Sequence, residues 1–246
     1  MFLRPKINLF NNWENKGDAS GFSYYEYKYL VAHAYLPQIY QLLEALYGLS
    51  DPFSQGLVDS IYYDTLEEDF YGQCVNGDEF KHKFRLRGYG DGSYGQVHEK
   101  VKQLSSVAKF KSKIKPVASR GGNAPDWDAL LPQGKAADFG HIMYHARQFG
   151  QLYPSIRVKY HRHRYRLFDY RITLDTNIEV FAPSNGLPRC LSYATFPYHV
   201  LEVKTGKRRP NLPFVGLIKL KQVSFSKFML GLGMLNTSQG WEFEHG

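Results

Sequence analysis

The chain has 246 residues, of which 43% are hydrophobic and 16% aromatic, with 31 Lys+Arg against 23 Asp+Glu and a formal net charge of +8. Length and apolar content suit one folded unit with a substantial core, which excludes a disordered or fibrous chain. The positive excess (pI ≈ 9.3) favours anionic partners, and two cysteines without paired spacing, Cys74 and Cys190, exclude a disulfide scaffold. No apolar run approaches the ~20 residues of a membrane span. Met1 to Trp13 holds no apolar core followed by a small-residue cleavage site, so a cytoplasmic protein is expected.

In chain order, residues 1–21 read as a loose, polar lead-in and 22–246 as one domain. Tyr24 to Val31 alternates as a strand, with Glu26 and Lys28 on one face and Tyr25, Tyr27 and Tyr29 on the other. Leu36 to Tyr47 has helical spacing and ends at Gly48. Val58 to Asp64 and Phe80 to Tyr89 read as strands. Gly88 to Gly95 is a glycine-rich turn without the Gly-Lys-Ser/Thr of a P-loop, and Gln96 to Leu104 is the returning arm. Residues 105–150 read as a helical or looped insertion. The Lys109, Lys111, Lys113 and Lys115 run is taken as a solvated loop, with a docking patch for a polyanion as the sharper alternative. Phe139 to Phe149 reads as a helix, Ile156 to Phe168 and Tyr170 to Val180 as paired strands, His199 to Thr205 as another, and Lys219 to Leu235 as a closing helix.

The strongest strands share one property: charge on one face, apolar bulk on the other. Lys28, Arg85, Arg87, Arg171 and Lys204 dominate the charged faces, with Glu26, Asp175 and Glu202 as the acids. Alternating strands often carry a merely solvated face. A face so selective for cations, recurring in distant strands, fits a closed barrel with a polar interior. Like charges pointing inward repel by about 4 kcal/mol per pair at ~4 Å and an effective dielectric of ~20. Such an interior needs anions to fill it, and a few carboxylates could carry a divalent metal.

The motifs Glu26-x-Lys28-Tyr29, Ser60-Ile61-Tyr62-Tyr63-Asp64-Thr65 and Lys83-x-Arg85-x-Arg87-x-Tyr89 are followed by Tyr160-x-Arg162 and Arg171-x-Thr173-Leu174-Asp175-Thr176. Leu201-Glu202-Val203-Lys204 and Phe225-Ser226-Lys227-Phe228 complete the series. In this order they resemble VTC domains, the polyphosphate polymerase part of the vacuolar transporter chaperone complex and related bacterial enzymes. VTC domains belong with the CYTH proteins among the triphosphate tunnel metalloenzymes. The resemblance implies an α+β fold, a closed antiparallel barrel with helices outside, and a tunnel in which Lys28, Arg85, Arg87, Lys102, Arg162, Arg171 and Lys227 grip phosphates. Glu202, with Glu26, would hold Mn²⁺ or Mg²⁺, and Lys204 would sit beside the metal. Implied substrates are ATP and inorganic phosphate or polyphosphate, with no nucleic acid. Guanidinium forks suit paired phosphate oxygens, and lysine supplies a movable point charge.

Departures are specific. Where VTC domains often show Glu-x-Lys after the glycine turn, this chain reads His98-Glu99-Lys100-Val101-Lys102; Lys102 is assigned to the tunnel, and Lys100 replaces an acid. Tyr24 stands where the family has arginine, and only Lys221 could serve as the second C-terminal lysine. His141 and His145 have an i, i+4 spacing that can bind zinc, but no Glu follows His141 as in HExxH, so a surface helix is expected. His161 and His163 read as an outer basic patch with Lys159, and both cysteines as inert packing residues. The expected activity is transfer of the ATP γ-phosphate to a growing chain. Hydrolysis in the same tunnel is one alternative and non-catalytic polyphosphate binding the other. Few well-placed acids favour polymerisation, since phosphatases of the superfamily use a fuller set of glutamates.

Overall fold

The computed structural model describes residues 25–47, 53–90, 92–104, 106–119, 121–133, 137–218 and 220–237; the expected lead-in and Tyr24 lie outside the described residues. Its strands are β1 (Tyr25–Ala32), β2 (Gln55–Asp64), β3 (Phe80–Tyr89), β4 (Ser93–Gln103), β5 (Ser106–Ala118), β6 (Tyr153–Leu167), β7 (Tyr170–Phe181), β8 (Tyr193–Thr195) and β9 (Tyr198–Thr205). Its helices are α1 (Leu36–Tyr47), α2 (Asp69–Val75), α3 (Ala137–Gln148), α4 (Pro213–Ile218) and α5 (Lys227–Asn236). The strands make one antiparallel sheet in the order β1-β9-β7-β6-β2-β3-β4-β5, with β8 on β7. No helix among the described residues is long and apolar enough to cross a membrane.

Period-two alternation divides the sheet into two faces. On β3, His82, Phe84 and Leu86 are buried behind the sheet, while Lys83, Arg85 and Arg87 face a central cavity. The back face is covered in two patches. Helix α1, through Ile39, Leu43 and Tyr47, packs with Phe214 of α4 against Tyr29, Val31, Ile172, Leu174 and Val203. Elsewhere on that face Phe70 of α2 and Ile142 of α3 join Ile61, Phe84 and Val97, whereas Leu232 of α5 joins Val58 and Ile156 on the cavity side, where Phe228 stacks on Tyr62. Helix α5 lies close to the strands: a Cβ on Gly231 would come within 2.8 Å of Val180 Cγ1 and 2.9 Å of Ile156 Cδ1.

Three expectations are corrected. Among the described residues, the sheet is not closed by hydrogen bonds, because the end strands β1 and β5 do not pair. The segment before α5 takes part of the β1 edge instead: Gln222 forms a bridge with Tyr29, and Val223 N–H donates to Lys28 O at 2.9 Å. The supposed insertion at 105–150 is not merely helix and loop, since β5 pairs along β4. The lysine run alternates with Ala108, Phe110, Ser112 and Ile114, all buried, so burial of that face makes it a strand. The closing helix begins at Lys227, after extended chain that follows the β1 edge, and Ser226 Oγ caps it by accepting from Met229 N–H at 3.3 Å. Two smaller differences concern exposure: Tyr25 is largely exposed, and so is Cys190, which packs nothing into the core.

The β3–β4 hairpin contains a register shift between Arg87 and Gly88, where a Cβ would collide with the Ser93 carbonyl oxygen. At the end of β2, Asp64 is fully buried and fixes the entry to α2. Its Oδ1 accepts from Thr65 N–H at 2.8 Å and Phe70 N–H at 2.9 Å, and its Oδ2 from Tyr71 N–H at 2.9 Å. Burial pushes the Asp64 carboxyl up to about 6, against the pull of these three donors. Asp64→Ala would leave the donors without their acceptor. The expected loss is about 2–3 kcal/mol in urea unfolding; a change below about 1 kcal/mol would mean that the turn is held by other contacts.

Candidate functional site

The concave face encloses a cavity of ≈ 170 Å³ bordered by ten lysines and arginines, drawn from β1, β3, β4, β5, β6, β9 and the start of α5. At one side, cross-strand register places Lys28 opposite Glu202 and Glu26 opposite Lys204. Opposite pairs on one face meet closely. Lys28 Nζ is 2.9 Å from Glu26 Oε1, Lys204 Nζ is 2.9 Å from Glu202 Oε1, and Lys204 reaches Glu26 Oε2 at 3.9 Å. Lys28 also donates to Phe225 O at 3.0 Å, tying β1 to the segment on its edge. Burial opposes ionisation of Glu202, yet Lys204, Lys28 and Arg162 hold its carboxyl well below the usual range. Burial likewise opposes charge on Lys28, and the two glutamates more than offset it.

The adjoining side is anchored on Asp175 of β7. Arg162 donates to it in bidentate fashion at 2.6 and 2.7 Å, and Lys227 Nζ donates at 2.6 Å. With no exposure, Asp175 would be costly unless paired, and these two cations hold its carboxyl below the usual range despite burial. The same carboxylate fixes Lys227 at the positive end of α5, where a cation is otherwise unfavourable.

On the far side the cations have neutral partners. Arg85 donates to Tyr62 Oη at 3.3 Å and to His98 Nδ1; Arg87 donates to Ser60 Oγ at 3.0 Å and Tyr160 Oη at 3.3 Å. Lys83 Nζ donates to Ser226 Oγ at 2.7 Å. Among the described residues, neither arginine nor Lys83 makes a salt bridge to a carboxylate. His98 Nε2 faces Gln96 Oε1 at 3.0 Å, so a neutral ring donates there and accepts at Nδ1. Burial and then Arg85 and Arg87 push its pKa far down, keeping it neutral. Burial would raise the Tyr62 hydroxyl, but Arg85 and Arg87 bring it down to about 7. Burial pushes Lys100 down to about 8, with Glu26 opposing.

Of the residues assigned from sequence, Lys28, Arg85, Arg87, Arg162, Lys204, Lys227, Glu26 and Glu202 border this cavity. Lys102 and Arg171 do not. Lys102 has the parity of Lys100 but stands exposed near the end of the hairpin, and Lys100 occupies the cavity. Arg171 is exposed at the start of β7, opposite Arg166 and Lys204, two register pairs past the Glu202 level. Sequence reasoning gave no cavity role to Lys83, Tyr62 or His98, and to Lys109 and Lys111 only the alternative of a docking patch at the tunnel mouth. Strand parity with Arg85 would have found Lys83, and alternation through Phe110 would have found Lys109 and Lys111. The Glu99 side chain is on the opposite face, with His145 and His82.

The carboxylates of Glu26 and Glu202 offer hard oxygen donors on one face. Two such groups, with ligand phosphates and water completing the shell, suit Mg²⁺ or Mn²⁺. Burial and then Glu202 oppose ionisation of Glu26, although Lys28, Lys100 and Lys204 hold its carboxyl below the usual range, and the repulsion between the two glutamates is the feature a divalent cation between them would relieve. The residues therefore fit such a metal.

Comparison with solved structures gives distant likenesses. To bh2851 from Bacillus halodurans, described as an adenylate cyclase candidate, identity is 10%, with 82% of this chain and 92% of that chain covered and a TM-score of 0.49. PH1819 from Pyrococcus horikoshii OT3 is 13% identical over 86% and 99%, with a TM-score of 0.45. HpAC1 from Hippeastrum, described as having a dominant triphosphatase activity, is 14% identical over 87% and 91%, again at 0.45. No curated protein sequence matches the chain. The VTC domain family matches residues 23–236, and on that match, spanning nearly all of the chain, the protein belongs to the VTC domain family.

Proposed function

We propose that the domain is a metal-dependent polyphosphate polymerase that moves the γ-phosphoryl group of ATP onto phosphate or a polyphosphate chain. The observation that carries this reading is the split cavity: Arg85, Arg87 and Lys83 with only neutral partners on one side, Glu26 and Glu202 on the other. The first side offers charge and donors to linked phosphates. The second offers carboxylates to a metal.

A terminal oxygen of the acceptor attacks the γ-phosphorus of ATP in line. The new P–O bond forms as the bond to the β-bridging oxygen breaks, and ADP leaves with that electron pair. Arg85 and Arg87 hold the transferring group and neutralise charge on its equatorial oxygens; Lys28, Arg162 and Lys227 orient the neighbouring phosphates. A divalent ion on Glu26 and Glu202 supplies further neutralisation of phosphate oxygens when bound. No protein nucleophile is required, because phosphoryl transfer gains mainly from positioning and electrostatic stabilisation.

Incubation with ATP and Mn²⁺, followed by electrophoresis, tests the reading: long chains are expected, whereas free phosphate alone would mean hydrolysis, and binding without turnover a non-catalytic module. The double substitution Arg85→Ala/Arg87→Ala is expected to abolish synthesis, by at least about 10³-fold, with the far-UV spectrum unchanged. Full activity in that folded variant would refute the assignment. Glu202→Gln is expected to raise the Mn²⁺ concentration needed for half-maximal synthesis, and an unchanged requirement would remove Glu202 from the metal site.

Affinity for tripolyphosphate is expected to fall as pH rises from 6.5 to 9. Above about 7 the Tyr62 hydroxyl becomes an anion, and above about 8 Lys100 loses its charge, so both changes make the cavity less positive. Titration calorimetry should show the lower part of this fall removed by Tyr62→Phe and the upper part by Lys100→Arg. Identical profiles for all three proteins would mean that neither group faces the bound anion.

A further inference from the structure

Behind the cavity, under α3, lies a group of metal-ligand side chains that phosphate chemistry does not use. On β4, His98 and Lys100 point into the cavity while Glu99 points to the back of the sheet, where it is 1% exposed. Helix α3 brings His145 against it: Nδ1 lies 3.0 Å from Glu99 Oε1 and 3.1 Å from Oε2. His141, one turn earlier on the same helical face, has its ring centroid 3.9 Å from that of His145. One ligand atom each from Glu99, His141 and His145 lies within 4.8 Å of the others. The expectation of an ordinary surface helix at this pair is thereby corrected, since its missing acid comes from β4.

The surroundings are those of a dry site. Phe110 of β5 lies against His141 at 3.8 Å between centroids, and Phe70, Phe84 and Phe149 surround His82. His82 Nδ1 stands 3.3 Å from Glu99 Oε1, so among the described residues this buried carboxylate is hydrogen-bonded by imidazoles. A carboxylate that is 1% exposed carries its charge in a low-dielectric layer, which is costly. A divalent cation would offset that charge. Two imidazole nitrogens with one carboxylate oxygen are a zinc donor set, and a third imidazole on the carboxylate is the kind of outer partner that orients such a ligand.

We propose that Glu99, His141 and His145 bind a structural Zn²⁺ that fastens α3 to β4, with His82 orienting the carboxylate. This site is chemically distinct from the Glu26–Glu202 pair. Imidazole donors select zinc, whereas an all-oxygen pair suits Mg²⁺ or Mn²⁺. By holding Glu99 behind the sheet, the metal holds its neighbours His98 and Lys100 in front.

The test loads the full chain with Zn²⁺, desalts it and measures bound metal by mass spectrometry. Retention of about one zinc per chain is expected in the unmodified protein and in Glu26→Gln/Glu202→Gln. His141→Ala, at the most accessible of the three positions, should weaken retention by at least about tenfold. It should also abolish any rise in melting temperature produced by zinc. Co²⁺ should give visible d–d bands of a tetrahedral imidazole site in the unmodified chain. Absence of retained zinc, or equal retention in a folded His141→Ala protein, would reduce the cluster to a hydrogen-bonded histidine–carboxylate group and overturn the proposal. If His141→Ala does not fold, the Co²⁺ spectrum of the unmodified chain decides alone: imidazole-site bands support the proposal and their absence overturns it.

Discussion

Mutual repulsion among cations is the constraint on which this architecture rests. Ten lysines and arginines border one cavity, and at about 4 kcal/mol per close pair at an effective dielectric of ~20 they cannot gather there uncompensated. The compensation is uneven. Asp175 answers Arg162 and Lys227, and Glu26 with Glu202 answers Lys28 and Lys204. Arg85, Arg87 and Lys83 are answered by hydroxyls, a neutral imidazole and, at Lys83, the Cys74 side chain. The cavity is therefore polarised: one side is nearly balanced and rigidly cross-linked, the other is ready for negative charge. The depressed pKa values of Tyr62 and Lys100 express the same positive field and burial on that second side.

The open edge of the sheet belongs to the same arrangement. Strand β1 carries Glu26 and Lys28, and its outer edge would otherwise expose unpaired backbone. The chain at Gln222 and Val223 takes part of that edge, then turns at Ser226 into α5. This path delivers Phe225 O to Lys28, Ser226 Oγ to Lys83 and Lys227 to Asp175. One short segment thus covers backbone, caps a helix and completes three contacts of the cavity. A strand in that place could not start the helix whose Phe228 stacks on Tyr62 at 5.2 Å.

Much of this was legible in the sequence because strand alternation is local. Lys28, Arg85, Arg87 and Lys204 reach the cavity as period two requires, and α1 begins where its spacing indicates, while Gly48, expected to end it, lies outside the described residues. Lys102 shows where parity stops. It shares a face with Lys100, and only the reach of the hairpin, a long-range property, decides which one meets the cavity. In β5 the signal was present but outweighed: four lysines drew attention from the Ala108, Phe110 and Ile114 alternation between them. The Glu99 cluster was not legible at all. His141 and His145 declare a helical face, but their partner lies some forty residues away on a strand face that sequence alone assigned to packing.

Register links the two sides of β4. A slip of one residue exchanges the faces of a strand, and here it would bring the Glu99 carboxylate into the cation-lined cavity while driving His98 and Lys100 into the aromatic layer under α3. The second half of that exchange is unfavourable, since an unpaired ammonium in an apolar layer costs several kcal/mol. The bulge at Arg87/Gly88 sets the pairing at one end of the hairpin, and the contacts of His145 and His82 with Glu99 pin it farther along. A cation-lined cavity would favour any rearrangement that brought acids inward. Locking an acid to histidines on the reverse face removes the nearest such rearrangement, so the positive surface in front depends on a negative charge held behind it.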